Sequence, residues 1–273
     1  MTPAFRLSLL LGLLAPVLPG AEGRPGTLQD GWELVTLYRF NEAEALFRRL
    51  ADREPSREHR YALAVSLLNR QPKSDRTVAE ARRYLTALVK ESTAPDEEIT
   101  LAARFYVARI LQLHQSKPDL AAARLAYREL SRTPGGGFWA EVAAVKWATL
   151  HVYEVTPWSE KAARLAEAEK ELARLTSPTL RKDLQIILAD GYEKFGISLP
   201  AALHHLEEAW AAGIERGIDQ GDFLARMGEL ARRIGDPAKA RGYFTEFLRR
   251  FRRDERVYWI TQKVADLEQG DRR

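Results

Sequence analysis

The sequence of 273 residues contains no cysteine. Without a thiol the chain can form no disulfide, no thiolate metal site and no cysteine nucleophile. The same absence excludes a lipid anchor attached to a cysteine behind a signal sequence. Hydrophobic residues make up 45% of the sequence and charged residues 29%, a composition typical of an ordered chain with ample apolar surface for packing.

Patterns typical of β-strands and of active sites are also absent from the sequence. No run of alternating apolar and polar residues is long enough for a strand, and neither His-Glu-x-x-His nor Gly-x-Ser-x-Gly occurs. The adjacent His204 and His205 point about 100° apart on a helix, so they cannot chelate one ion together. The glycine run 135–137 lacks the Gly-Lys-Ser/Thr of a nucleotide-binding loop and is better explained as a break between helices. We therefore expect no catalytic, metal-ligating or cofactor-binding residues, and no enzyme activity.

One long apolar run stands near the start of the chain. It extends from Leu7 to Leu18, follows the basic Arg6, and precedes a group of small residues that ends at Gly23. This order is typical of a secretory signal peptide, and about a dozen residues are too few to span a bilayer, which takes roughly 20. We predict that residues 1–23 are a signal peptide and that the mature protein is periplasmic or secreted and not integral to a membrane. A buried or frayed N-terminal helix is the alternative.

The rest of the sequence repeats one apolar pattern. An alanine is followed four residues later by an aromatic or large aliphatic residue and, in most cases, three residues after that by another large apolar one, which puts all three on one helical face. The pattern occurs six times at intervals of 34 to 45 residues, at Ala43/Phe47/Leu50, Ala81/Leu85/Leu88, Ala123/Tyr127/Leu130, Ala168/Leu172/Leu175, Ala202/Leu206/Ala209 and Ala240/Phe244/Phe247. A second apolar segment precedes each occurrence, and prolines separate them, so the sequence predicts six helical hairpins.

The last hairpin shows the pattern most completely. Gly228 and Ala240 supply small residues where two helix axes come closest. Gly235 suits the left-handed residue that ends the first helix. Asp236 can cap the second helix, and Pro237 fits its first turn because the missing N–H would be unpaired there.

This spacing resembles the tetratricopeptide repeat, which places small and aromatic residues at set offsets over about 34 residues. The resemblance extends from about Thr27 to Leu267 and is weakest in the fourth hairpin, where the chain is longer around residues 152–160. It implies an all-α, right-handed solenoid of about six hairpins over residues 24–268. A helix near the C-terminus is predicted to cap the last hairpin, and residues 269–273 are predicted to form a polar tail.

The resemblance also implies a function. We expect a protein-interaction scaffold that binds a peptide or a partner protein in a concave groove lined by the first helix of each hairpin. The segment 240–251 is similar to the terminal repeats of periplasmic proteins that work with the bacterial cell envelope, which favours an envelope setting. Two alternatives stay open: an accessory helical module of a peptidoglycan- or envelope-processing enzyme complex, and a structural oligomer built through exposed aromatics such as Trp139, Trp158 or Trp259.

The residues predicted to bind the partner share one property, a place on a first helix away from its packing face. They are Asn69, Arg70, Phe105, Arg109, Gln112, Glu193, Lys194, Arg232 and Arg233. Ordinary solvated side chains are the alternative at each position.

A cluster of arginines near the C-terminus is a second candidate surface. Its members are Arg249, Arg250, Arg252, Arg253 and Arg256. They could hold an anionic envelope surface, or they could simply complement the C-terminal end of a helix. No basic and aromatic element typical of nucleic-acid recognition is present, so nucleic acid is not an expected partner.

Overall fold

A computed structural model of the protein describes residues 26–270. The predicted signal peptide at residues 1–23 and the end of the polar tail at 271–273 lie outside the described residues. No β-strand occurs between residues 26 and 270. The α-helices are α1 Leu28–Thr36, α2 Phe40–Arg53, α3 Arg57–Asn69, α4 Asp75–Glu91, α5 Glu98–Arg109, α6 Leu120–Ser131, α7 Gly137–Tyr153, α8 Lys161–Glu169, α9 Pro178–Lys194, α10 Leu199–Ala211, α11 Gly217–Arg233, α12 Pro237–Arg250 and α13 Val257–Gly270.

Consecutive helices pack against each other along the whole described chain. Connections of three to ten residues join α1 to α2, α3 to α4, and so on to α11 and α12, which makes six helical hairpins, and α13 packs on α12. Each hairpin also packs on the next one, and the first helices contact each other in sequence from α1 to α9. Because each unit contacts only its neighbours, the fold is an α-helical solenoid, and the predicted all-α class and six hairpins are confirmed.

The predicted small and aromatic positions form the centre of each hairpin. Ala43 and Phe47 in the first hairpin, and Ala240 and Phe244 in the last, are fully buried. A Cβ atom on Gly228 would lie 2.4 Å from Cε1 of Phe244, so only glycine permits the observed approach of α11 to α12. Gly31 has the same relation to Phe47, with a hypothetical Cβ at 2.1 Å from that ring. Gly31 was not among the predicted positions.

Local residue chemistry sets the helix ends. Gly235 takes a φ of 81°, and the Asp236 carboxylate accepts a hydrogen bond from the Lys239 N–H at 2.9 Å, which confirms the predicted turn of the last hairpin. In the first hairpin the corresponding left-handed position is held by Tyr38, with a φ of 59°. The Arg39 N–H then donates to the Leu34 carbonyl at 2.9 Å, as in the helix-ending motif that glycine usually supplies.

The fourth hairpin is the least regular, as the extra length around residues 152–160 predicts. Its second helix, α8, is only nine residues long. A 3₁₀ turn at Trp158–Glu160 precedes it, and another at Lys170–Arg174 follows it. The buried Lys161 at the start of α8 donates to the carbonyls of Val152 and Glu154, which fixes the longer connection to α7.

The last helix covers the final hairpin. Ile260 is fully buried, and Val257, Val264 and Leu267 pack against the same core, so the predicted capping helix is confirmed. Across the described residues, no helix is both long and apolar enough to cross a lipid bilayer.

Candidate binding surface

The first helices contribute partly exposed side chains that together form one surface. We call this surface, formed by α1, α3, α5, α7, α9 and α11, the first-helix face. Most of the predicted binding residues belong to it, but Phe105 does not. Phe105 is only 6% exposed and packs between the rings of Tyr127 and Trp139, with centroid distances of 5.5 Å and 5.3 Å. Its place on the exposed surface was predicted wrongly, because α5 turns Phe105 toward α6 and α7, and Phe105 is part of the core.

At the end of α3, the predicted residues are tied to other parts of the protein. The Asn69 side chain donates to the Val65 carbonyl at 2.8 Å, and Arg70 forms an ion pair with Glu44 of α2 at 2.8 Å. Arg70 therefore stabilises the junction between the first two hairpins and has little freedom to bind a partner.

The predicted residues near the C-terminal end form a network across two first helices. Glu193 of α9 pairs with Arg233 of α11 at 3.2 Å and with Arg226 at 2.7 Å. Lys194 lies over the ring of Tyr153 at 5.2 Å. Arg232 pairs within its own helix, with Glu229. The structure therefore brings Glu193 and Arg233 together, but their charges already satisfy one another.

A row of aromatic side chains crosses the first four first helices. We call it the aromatic row, and it consists of Trp32 of α1, Tyr61 of α3, Tyr106 of α5 and Trp139 of α7. Successive ring centroids are 6.1 Å, 6.0 Å and 6.3 Å apart, and all four side chains are partly exposed. Burial raises the pKa of Tyr61 and of Tyr106, so both phenols stay protonated. Sequence reasoning assigned Trp32 and Tyr61 to packing and did not predict the row.

Two basic side chains stand beside the aromatic row, and we call them the basic pair. Arg109 follows Tyr106 by three residues on α5, and Lys146 follows Trp139 by seven on α7, so each lies on the same helical face as its aromatic neighbour. Both are partly buried. Within residues 26–270 neither forms an ion pair or a hydrogen bond. Burial and then the charge of Arg109 lower the pKa of Lys146, while Asp183 acts in the opposite direction.

The backbone changes its winding directly after Arg109. Residues Ile110–His114 form a π-helical turn, closed by the Gln115 N–H donating to the Ile110 carbonyl. In this turn the Gln112 side chain accepts a hydrogen bond from the Tyr127 hydroxyl at 3.0 Å. Such π turns are frequent at functional sites, and this one ends the helix that carries Tyr106 and Arg109.

The hairpins share one packing arrangement. A glycine of the first helix meets a buried aromatic ring of the second in both the first and the last hairpin, and first helices pack side by side along the chain. In this packing the array resembles the tetratricopeptide fold. Its first-helix face is continuous from α1 to α9, because those helices contact one another in turn.

Two solved structures are similar to this chain. A tetratricopeptide repeat protein from Parabacteroides merdae is 11% identical, with 87% of this chain and 82% of that chain covered and a TM-score of 0.47. A thermophilic TPR protein from Thermus thermophilus is 18% identical, with 89% of this chain and 97% of that chain covered and a TM-score of 0.28. No family model and no curated protein matches the sequence.

The arginine cluster of the array is largely neutralised by neighbouring acids. Arg249 and Arg250 both pair with Glu246, and Arg256 pairs with Asp254 and Asp222. The remaining two members, Arg252 and Arg253, are exposed. The net positive charge of this surface is therefore smaller than the count of five arginines predicts.

Two of the histidines, His151 and His205, are buried and serve packing. His205 is buried, stacks on Tyr192 with ring centroids 5.4 Å apart, and is hydrogen bonded to Gln185. His151 stacks on Trp147 in the same manner, at 4.7 Å. Across residues 26–270 no group of three or more histidines and acidic residues is placed to hold a metal ion.

Proposed function

We propose that the protein is an interaction scaffold and that its first-helix face binds a partner protein through the aromatic row and the basic pair. The observation that carries this proposal is the aromatic row itself. Four partly exposed aromatic rings from four separate hairpins follow one another, and Arg109 and Lys146 on two of the same helices have no ion-pair partner within residues 26–270. Aromatic and arginine side chains are the residues that most often dominate the free energy of protein binding.

The array is suited to this role because its binding surface is already ordered before a partner binds. Each ring of the aromatic row contacts the next, and Phe105 and Phe47 support the row from the core. A surface held in one conformation before binding loses little conformational entropy when the partner arrives. Binding would therefore proceed by docking on a rigid face.

Charge reversal tests the proposal. The purified protein, its Arg109→Glu/Lys146→Glu variant and an Arg82→Glu control are used to capture partners from an extract of the source cells. Arg82 is exposed on the second helix α4, away from the first-helix face. We expect the double variant to lose a partner that the control retains. Retention of every partner by the double variant would refute the role of this face.

We also propose that the protein is exported and works in the bacterial cell envelope. The support is the order of charge, apolar run and small residues in positions 1–23. Fractionation of cells and N-terminal sequencing of the protein test this. We expect a periplasmic or secreted protein that lacks about the first 23 residues, and a cytoplasmic protein that retains them would contradict the proposal.

A further inference from the structure

The aromatic row consists of tilted rings in contact with one another, which restricts what can bind to it. Successive rings are inclined to each other by 43°, 67° and 56°. Because the rings meet at these angles, no two of them present parallel faces to a flat ligand. Grooves lined by aromatic side chains are the kind of surface on which proline-rich segments dock.

Two of the four side chains in the row, the tryptophans, can only donate a hydrogen bond, and the two tyrosine hydroxyls can donate as well as accept. The indole N–H groups of Trp32 and Trp139 have no hydrogen-bond partner in residues 26–270, and neither nitrogen is a buried unpaired atom, so both reach solvent. An indole nitrogen can only donate. The backbone of the surrounding helices is already paired and offers no sheet edge. A ligand rich in carbonyl groups and poor in N–H groups therefore complements the row, and proline has this property because it lacks an N–H.

The length of the row fits an extended peptide. Each step between rings is close to 6 Å, and a polyproline II helix rises about 3.1 Å per residue, so one step corresponds to about two residues. The row of four rings thus covers about six residues of such a helix. A polyproline II segment has a solvated backbone and needs no pairing strand, so an all-helical surface can accept it.

The basic pair favours a ligand that carries negative charge at one end. Arg109 and Lys146 have no ion-pair partner in the described chain, and Asp183, the acid that raises the pKa of Lys146, forms no ion pair with it. Two partly buried cations that repel each other are stabilised by an anion between them. A carboxylate in the ligand would meet this need.

From these features we infer that the aromatic row and the basic pair bind a proline-rich segment in the polyproline II conformation, flanked at one end by acidic residues. This inference rests on the proposed function, because it names the class of partner for the same face. It assigns the proline-rich part to the aromatic row and the acidic end to Arg109 and Lys146.

Labelled synthetic peptides test the inference by fluorescence anisotropy with the full chain. The probe contains about six prolines, the length that the row covers, followed by two glutamates. One control peptide has alanines in place of the prolines, and another has lysines in place of the glutamates. We expect each control peptide to bind at least about tenfold more weakly than the probe.

Variants locate the binding. Lys146→Glu and Tyr106→Ala should each lower the affinity for the probe by at least about tenfold, and Arg82→Glu should leave that affinity unchanged. Loss of the Tyr106 ring could also unfold α5. A second variant, Tyr106→Phe, therefore keeps the ring and removes only the hydroxyl. Circular dichroism checks the helical content of every variant. We expect Tyr106→Phe to bind the probe more weakly than the wild-type protein while keeping its full helicity.

The outcomes separate this inference from the proposed function. Equal binding of the proline and alanine peptides would overturn the inference, as would a probe that binds equally well to Lys146→Glu. If the natural partner is still lost from the Arg109→Glu/Lys146→Glu variant, the proposed function stands while the proline-rich ligand is wrong. If that partner is retained, the proposed function fails as well.

Discussion

Gly228 lies where helices α11 and α12 are closest, and its replacement by alanine tests the account of hairpin packing. The added Cβ would lie 2.4 Å from Cε1 and 2.5 Å from Cδ1 of Phe244. Phe244 is fully buried, and its ring meets Trp259 of the capping helix edge to face at 6.2 Å. The ring is therefore enclosed on all sides, and the substitution overpacks the core.

A matched control exists in the same hairpin. Gly242 lies in the interior of α12, and a Cβ there would meet no atom within 4 Å. In a helix interior, alanine is favoured over glycine by about 1 kcal/mol, and overpacking a core costs about 1–3 kcal/mol. Gly242→Ala should therefore stabilise the protein by up to about 1 kcal/mol. The Gly228→Ala variant should have a free energy of unfolding about 1–3 kcal/mol lower than that of Gly242→Ala, since both variants gain the same helix propensity.

Urea unfolding followed by circular dichroism, with hydrogen exchange of the α11 and α12 amides, measures the difference. Hydrogen exchange is needed because repeat arrays can open locally. A second substitution, Phe244→Leu, should relieve the overpacking in the Gly228→Ala variant. The effects of the two substitutions on the free energy of unfolding should therefore not be additive. If Gly228→Ala is as stable as Gly242→Ala, the close approach of the two helices is refuted.

Two further predictions concern the first and fifth hairpins. Tyr38 is 82% exposed at a φ of 59°, so Tyr38→Gly should relieve strain and raise the free energy of unfolding by about 1 kcal/mol in urea titrations; a decrease would contradict the strain. Burial lowers the pKa of His205, although Glu169 opposes this effect. The folded protein therefore keeps the ring neutral where the unfolded chain protonates it, and stability should fall as the pH drops below about 6.5. The urea midpoint should decrease less between about pH 7.5 and 5.5 in His205→Gln than in the wild-type protein, and an unchanged decrease would refute the contribution of His205.

The sequence predicts the hairpin interiors well because they depend on local spacing. Five of the six alanine-led patterns lie on the packing faces of second helices, and Gly235, Asp236 and Pro237 form the predicted turn. In the fourth hairpin, Leu172 and Leu175 lie beyond the end of α8. Gly31 could also have been found from the sequence. It precedes Phe47 by the same number of residues that separates Gly228 from Phe244, so the two hairpins share one spacing.

The first-helix face was harder to predict because it depends on contacts between hairpins. The members of the aromatic row are unevenly spaced in the sequence, at positions 32, 61, 106 and 139, because the turns and helices between them differ in length. The direction of a side chain also matters for burial. Phe105 is adjacent to Tyr106 in the sequence, but its side chain turns into the core. Pairing partners such as Glu44 for Arg70 come from another helix and leave no signal in local periodicity.

Site-specific photo-crosslinking tests the central claim that the first-helix face is the binding surface. A photo-reactive residue is placed at Leu113, in the turn after Arg109, or at Leu125 on the second helix α6. The two positions are matched in exposure, at 54% and 58%. The account predicts that the partner crosslinks to position 113 and not to position 125, and that Lys146→Glu abolishes the crosslink. A partner that crosslinks to position 125 alone, or equally to both positions, would contradict it.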